Sequence, residues 1–321
     1  MKGKLKQFRV DAGMTQRQAA QKVGVSQPNY QRWESGSAPI PADKVKKLAK
    51  ALKTSPAAIL GRYLPVQTAP SDRPEGADLS YHGEISIHFC GGGEPLVLSI
   101  SEGAFHRLYD QLQRRPAFVT VASLANQTVA IRTRAIAELH LYSQAYDVSR
   151  DHPDHIGIQI PDPRDWAIVE ALAAGDVGEF DPFDVDRVTN RIMVTDEQYR
   201  KRVADGKIKP EDLEGMRKKD RKETDRIFDL ATGTKYQLSS GQQRRLYVDA
   251  PETLFDALYE LTDSGGGDPD NIIVLPAQGA HRTVFINKDA LDYVICPTHL
   301  YLQGRTDADS RDLDSVEHAD R

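Results

Sequence analysis

The sequence feature that most constrains the fold is residues 14–36, Met-Thr-Gln-Arg-Gln-Ala-Ala-Gln-Lys-Val-Gly-Val-Ser-Gln-Pro-Asn-Tyr-Gln-Arg-Trp-Glu-Ser-Gly. Thr15 is a favourable N-cap for a helix, and Gln18 three positions later completes a capping box. Gly24 can adopt the left-handed conformation that a sharp turn needs. The segment therefore predicts two short helices joined by a tight glycine turn.

The second helix of this pair is predicted to have one buried face and one polar face. Tyr30 and Trp33 are three positions apart, so they share the face that packs into the core. The side chains left toward solvent are those of Gln27, Pro28, Asn29, Gln31 and Arg32. Gln, Asn and Arg can form paired hydrogen bonds with adenine or guanine edges in the major groove. This layout is typical of a helix-turn-helix that reads DNA.

The flanking residues predict the rest of a small helical domain. Leu5, Phe8 and Ala12 recur at helical spacing, which indicates a first helix over residues 3–12. A fourth helix carries Val45, Leu48, Ala49 and Leu52, and a short fifth helix starts at Ser55-Pro56. We therefore predict an all-α, five-helix DNA-binding domain over residues 1–63.

Residues 5–60 resemble the Cro and lambda-repressor-like helix-turn-helix family, also called the xenobiotic-response-element family. The matching pieces are Arg9, Gly13-Met14-Thr15-Gln16, Ala20, Val23-Gly24-Val25-Ser26, Glu34-Ser35-Gly36, Pro41, Leu48-Ala49 and Ser55 through Leu60. The resemblance implies that Arg9 and Glu34 pair inside the domain.

The same resemblance implies specific DNA contacts. The residue at the position of Gln16 contacts a phosphate, and those at Gln27, Pro28 and Arg32 face base edges. Pro28 departs from the usual polar reader and cannot hydrogen-bond a base, although its ring can contact a thymine methyl group. We predict base contacts from Gln27, Pro28, Asn29, Gln31 and Arg32. We predict phosphate contacts from Gln16, Arg17, Lys44 and Lys47.

The charge distribution independently favours a nucleic-acid partner for the first domain. Residues 1–63 contain 13 Lys plus Arg and 3 Asp plus Glu. The remaining residues contain 29 Lys plus Arg and 44 Asp plus Glu. A basic head on an acidic body is the electrostatic pattern of a DNA-binding module attached to another domain.

The body is predicted to begin after a linker over residues 64–79, which has three prolines and few apolar side chains. Two stretches of the body then resemble each other. Glu102, Phe105 and Leu108-Tyr109 correspond to Glu252, Phe255 and Leu258-Tyr259, and Thr128-Val129-Ala130-Ile131 corresponds to Thr283-Val284-Phe285-Ile286. We therefore predict a duplicated α+β unit over residues 80–147 and 236–304.

Each copy is predicted to be a strand, a helix and a three-strand meander, which is loosely similar to Sm-like five-stranded small barrels. Residues 148–235 are predicted to be a helical and irregular connecting segment, with helices over 165–173, 196–203 and 210–230. The Asp-rich residues 305–321 lack periodicity and are predicted to be a disordered tail.

No motif in the chain predicts catalysis, a cofactor or a metal site. The chain has no Ser-Met pair of a self-cleaving repressor, no His-Glu-x-x-His helix and no phosphate-binding glycine loop. His152 and His155 with Asp151 and Asp154 are the best metal candidates, but they are more typical of a polar loop. Asp181, Asp184 and Asp186 are predicted to be caps and turns. We therefore expect no enzymatic activity and no cofactor.

These observations predict a cytoplasmic, sequence-specific transcriptional regulator whose partner is double-stranded DNA. No apolar run is long enough to span a membrane, and Cys90 and Cys296 are expected to be reduced thiols. The duplicated body is predicted to supply homo-oligomerisation, most simply as a dimer on a palindromic operator. The alternative is an antitoxin-like or small-molecule-sensing protein whose body binds a partner or ligand and whose head serves autoregulation.

Overall fold

The computed structural model describes residues 4–60, 81–142, 163–248, 250–262, 271–277 and 282–319. The chain divides into two compact units. One unit comprises Met1–Ala77 together with Leu302–Arg321, and the other comprises Asp78–Tyr301. A helical N-terminal region is thus followed by a body of mixed strands and helices, as the sequence predicts.

Five helices make up the N-terminal region: α1 (Lys4–Asp11), α2 (Gln16–Val23), α3 (Gln27–Glu34), α4 (Ala42–Ala51) and α5 (Pro56–Ile59). The predicted capping box is present, since the Thr15 hydroxyl accepts from the Gln18 backbone and the Gln18 side chain accepts from the Thr15 backbone. Gly24 ends α2 in the left-handed conformation, with φ 69° and ψ 51°. The turn between α2 and α3 is therefore encoded by its own residues.

The body begins with β1 (Tyr81–Phe89), β2 (Leu96–Ser101), α6 (Glu102–Arg114), β3 (Phe118–Ala122), β4 (Gln127–Arg132) and β5 (Ile136–Tyr142). Four helices follow: α7 (Pro163–Ala174), α8 (Pro182–Ile192), α9 (Asp196–Ala204) and α10 (Leu213–Thr232). The chain continues through β6 (Gly233–Leu238), β7 (Gln243–Tyr247), α11 (Pro251–Thr262), β8 (Ile272–Ala277), β9 (Arg282–Asn287), β10 (Leu291–Pro297) and α12 (Thr298–Ala319).

The described strands form three antiparallel sheets, in the orders β2-β1-β5, β3-β4-β10-β6-β7 and β8-β9. The stretches β1 to β5 and β6 to β10 follow the same order of elements: two strands, a helix, a hairpin, a single 3-10 turn and a last strand. The central sheet joins them, because β10 pairs with β4 as well as with β6. The Sm-like barrel remains a prediction, since no described sheet closes on itself.

β10 lies between two hydrophobic cores and is buried along its whole length. Val294 and Cys296 pack into the core beneath α11, whereas Tyr293 and Ile295 pack into the core beneath α6. Because successive side chains of a strand point to opposite faces, one apolar strand contributes to both cores.

The connecting segment is more helical than the sequence predicts. Helices α7, α9 and α10 fall where helices were expected. The sequence does not predict α8, because Asp181, Asp184 and Asp186 are also typical of caps and turns. Asp181 is a cap, since its carboxylate accepts from the Phe183 backbone at 2.9 Å, but Asp184 and Asp186 lie inside the helix that it starts. His152 and His155 lie outside the described residues.

The prediction of a disordered tail over residues 305–321 is wrong. The structure instead places these residues, up to Ala319, in helix α12. The helix contacts the N-terminal region through polar side chains rather than an apolar stripe, so it leaves no hydrophobic period in the sequence. No helix of the described ranges is long and apolar enough to cross a membrane.

The two cysteines are predicted to differ sharply in reactivity. Both are free thiols, Cys90 exposed and Cys296 buried. Burial raises the pKa of the Cys296 thiol, which lowers its thiolate fraction further. Native iodoacetamide labelling followed by mass spectrometry should modify Cys90 and spare Cys296 until denaturant is added. Equal labelling of both thiols under native conditions would show that the β10 core opens readily.

Candidate nucleic-acid interface

Helix α3 has the two faces that the sequence predicts. Tyr30 and Trp33 are buried in the core of the N-terminal region, together with Ala20 and Val23 of α2. Burial raises the pKa of the Tyr30 hydroxyl above its ordinary value. This packing fixes the rotation of α3 about its own axis and so determines which side chains reach solvent.

All five predicted base-contacting residues lie on the exposed side of α3. These residues are Gln27, Pro28, Asn29, Gln31 and Arg32. Pro28 lies in the first turn of the helix, where its missing N–H breaks no intrahelical bond. In the described part of the chain, the side chains of Asn29, Gln31 and Arg32 make no hydrogen bond to the protein. They therefore remain available to base edges.

The four predicted phosphate-contacting residues have different environments. Arg17 and Lys47 are exposed, whereas Lys44 and Gln16 are half-buried. The side-chain Nε2 of Gln16 donates to Glu34 Oε2 at 2.6 Å, so this side chain is held against the core of the domain. The backbone N–H of Gln16, at the first position of α2, is the other polar group that this residue could present to a phosphate.

The internal pair implied by the resemblance is present and fully enclosed. Arg9 Nε donates to Glu34 Oε1 at 2.8 Å, and neither side chain is more than 4% exposed. Arg9 also donates from Nη1 to the Met14 carbonyl at 2.7 Å. The pair therefore connects α1, the loop before α2 and the last turn of α3, which aligns the helix-turn-helix.

Helix α12 adds a group of contacts that the sequence reasoning missed. Its polar side chains meet α1 and the start of α2 in five pairs: Lys6 with Asp307, Gln7 with Thr306, Arg9 with Ser310, Arg9 with Asp314, and the Gln16 backbone with Asp314. Thr306, Ser310 and Asp314 recur every four residues and so share one helix face. That spacing was the available signal.

The comparison with protein families decides the nature of the first domain. Residues 5–59 match the helix-turn-helix family. The prediction of a Cro- and lambda-repressor-like domain is confirmed, and the match supports a DNA-binding regulator in general. The match leaves the body unassigned. No curated protein and no solved structure matches the chain.

Proposed function

We propose that this helix-turn-helix protein is a cytoplasmic transcriptional regulator that binds a specific DNA sequence through α3 and has no enzymatic role. The observation that carries the proposal is the exposed face of α3, where Asn29, Gln31 and Arg32 project away from the buried Tyr30 and Trp33. In helix-turn-helix proteins the second helix of the motif enters the major groove. Base discrimination is assigned to Gln27, Pro28, Asn29, Gln31 and Arg32.

The proposal assigns phosphate contacts to the rim of this surface. Arg17 and Lys47 are exposed cations, and Lys44 is half-buried on α4. The group assigned to Gln16 is its backbone N–H, which donates to Asp314 in the structure. Phosphate contacts fix the register of a protein on the duplex without reading its sequence. Their loss is therefore expected to weaken binding to all DNA to a similar degree.

We further propose that the chain acts as a homodimer on a palindromic operator. A single small recognition helix contacts few base pairs, whereas a two-fold dimer reads two half-sites. The duplicated α+β body is proposed to supply the dimer contacts. The expected half-site centres are about one helical turn of 10–10.5 bp apart, or a multiple of that distance.

The test is selection from a pool of randomised double-stranded DNA at physiological salt, with sequencing of the bound fraction. The proposal expects enrichment of an inverted repeat with the half-site spacing given above. Enrichment of a single half-site would retain the specific regulator and remove the dimer. Uniform recovery of the pool by a folded protein would overturn sequence-specific binding.

A further inference from the structure

The β8–β9 hairpin has one buried face and one exposed apolar face. Ile273, Leu275 and Ile286 are buried in the core beneath α11. The opposite face carries Ile272, Val274 and Phe285, whose exposed fractions are 47%, 40% and 68%. Val274 and Phe285 are direct cross-strand partners. We call Ile272, Val274 and Phe285 the hairpin patch.

The matching hairpin β3–β4 shows what such a face does elsewhere in the same chain. Its register aligns with that of β8–β9, because Val119↔Ile131 in the first ladder corresponds to Ile273↔Ile286 in the second. The alignment equates Phe118 with Ile272, Thr120 with Val274, and Ala130 with Phe285. A role of this face can therefore be transferred position by position.

In the first half of the body, β1 to β5, this face is covered by the second half, β6 to β10. Phe118 and Ala130 are buried in the core beneath α11, although they belong to β3 and β4. One edge of β4 pairs with β3, and its other edge pairs with β10. In the second copy, β9 has β8 as its only partner among the described strands, and the face beside it is exposed.

The first half of the body of another chain, β1 to β5, is poorly suited to cover the hairpin patch. The strand that corresponds to β10 is β5, where Glu138 and His140 take the places of Tyr293 and Ile295. Glu138 and His140 are exposed and hydrogen-bonded to each other at 3.1 Å. A head-to-tail contact would place β5 of one chain beside β9 of another and would bury Glu138 and His140 against Val284 and Ile286. A self-complementary contact between two hairpin patches is therefore favoured.

We propose that the hairpin patch is the contact surface for a second copy of this chain, packed about a two-fold axis. Each chain presents the same Ile272, Val274 and Phe285, and beside them lies an edge of β9 that pairs with no other described strand. Two-fold contacts of this kind are isologous, so one apolar patch suffices for both partners. The inference rests on the dimer of the proposed function and identifies its surface.

The test is the molar mass of the full-length protein by light scattering at micromolar concentration. Phe285→Asp should convert a dimer into a monomer, since it places two carboxylates in one apolar contact. Phe183→Asp is the matched control, because Phe183 is 75% exposed on α8. Circular dichroism checks the fold, and Phe285→Ser replaces the aspartate variant if that variant unfolds.

The outcomes separate the surface from the dimer itself. A dimeric wild type and control with a monomeric Phe285 variant support the hairpin patch. If all three proteins are dimers, the surface is wrong while the proposed dimer stands. A monomeric wild type overturns both the surface and the dimer, and leaves specific DNA binding to the pool selection.

A second inference concerns the start of α2, where α12 supplies an anion. Asp314 Oδ1 accepts from the Gln16 backbone N–H at 3.2 Å, and its other oxygen lies 3.8 Å from Arg9 Nη2. Gln16 is the first residue of α2, the helix that precedes α3 in the motif. In helix-turn-helix complexes this first helix crosses the DNA backbone, and helix N-termini bind phosphate oxygens.

The contact combines two groups that attract the same kind of anion. The helix dipole places partial positive charge at the Gln16 backbone N–H, and the Arg9 guanidinium, which is also paired with Glu34, lies 3.8 Å from the second Asp314 oxygen. While the Gln16 backbone N–H donates to the Asp314 carboxylate, it is not available to donate to a DNA phosphate. We propose that Asp314 acts as an intramolecular phosphate mimic, which lowers DNA affinity as long as α12 keeps this carboxylate at the start of α2.

The test compares full-length Asp314→Asn with wild type by fluorescence anisotropy on the selected operator and on random DNA of equal length. The variant should bind both DNAs about two- to fivefold more tightly, since a phosphate contact carries no sequence information. Asp309→Asn is the control, because it removes the same charge but its carboxylate pairs with Arg305 of its own helix.

A purely structural α12 predicts the opposite result. If Asp314 only stabilises the domain, Asp314→Asn lowers or preserves DNA affinity, and this outcome overturns the inference. An equal gain in the Asp309 variant also overturns it, because bulk charge would then explain the effect. Absence of any DNA binding in all three proteins contradicts the proposed function instead.

Discussion

Arg32→Ala is expected to lower affinity for the selected operator by about 5- to 150-fold, the range of one good bidentate base contact. Arg32 is exposed in the last turn of α3, and its guanidinium makes no hydrogen bond to the described residues. A guanidinium in this position can donate to O6 and N7 of a guanine in the major groove. Affinity for random DNA should fall much less, because only one charge is lost. Titration of both DNAs at one stated salt concentration measures the two effects.

The control for this variant is Arg200→Ala, which removes an exposed arginine from α9. It should leave affinity for the operator and for random DNA unchanged. An equal loss on both DNAs in Arg32→Ala would assign Arg32 to a phosphate instead of a base. No loss on either DNA would remove α3 from the interface.

Arg9→Ala is expected to destabilise the helix-turn-helix by about 3–5 kcal/mol, the cost of breaking a buried ion pair on one side. The substitution leaves Glu34 buried with no cation and leaves the Met14 carbonyl and the Ser310 hydroxyl without their donor. Hydrogen exchange of the full-length protein should show lost protection in α1, α2 and α3. Protection in the body's central sheet should be unchanged.

A double variant distinguishes the ion pair from simple loss of volume. Arg9→Met with Glu34→Met removes both charges and keeps long side chains in the core. It should recover part of the lost protection, since no unpaired charge stays buried. If the double variant is as unstable as Arg9→Ala, packing rather than charge accounts for the effect.

The helix-turn-helix could be predicted because its signals are local. The Thr15–Gln18 capping box, the left-handed Gly24 and the three-residue spacing of Tyr30 and Trp33 each act within one or two turns of chain. Local rules of this kind need no knowledge of the rest of the fold. The exposed face of α3 follows from them directly.

The body was less predictable because its decisive contacts are distant in sequence. β4 and β10 were both expected as strands, but their pairing brings Val129 beside Ile295 across more than half of the chain. An alternating pattern shows which face is buried and not which strand lies alongside. The sequence pattern therefore could not place the central sheet.

α8 and α12 were missed for opposite reasons. In α8 the buried Val188 and Ile192 have helical spacing, but the neighbouring aspartates favour caps and turns. In α12 the docking face is polar, with Ser310 and Thr306 buried against hydrogen-bond partners of α1. Apolar periodicity cannot reveal a helix that docks through hydrogen bonds and ion pairs.

The most direct test of the central claim is the ratio of affinities for the selected operator and for a scrambled duplex of the same composition, at one physiological salt concentration. Sequence-specific regulators typically bind their sites about 10³-fold or more above non-specific DNA. We predict a ratio of at least about 10³ for the wild type. A ratio near one, with binding that weakens steeply as salt is added, would contradict a base-reading role for α3 and leave only electrostatic attachment to DNA.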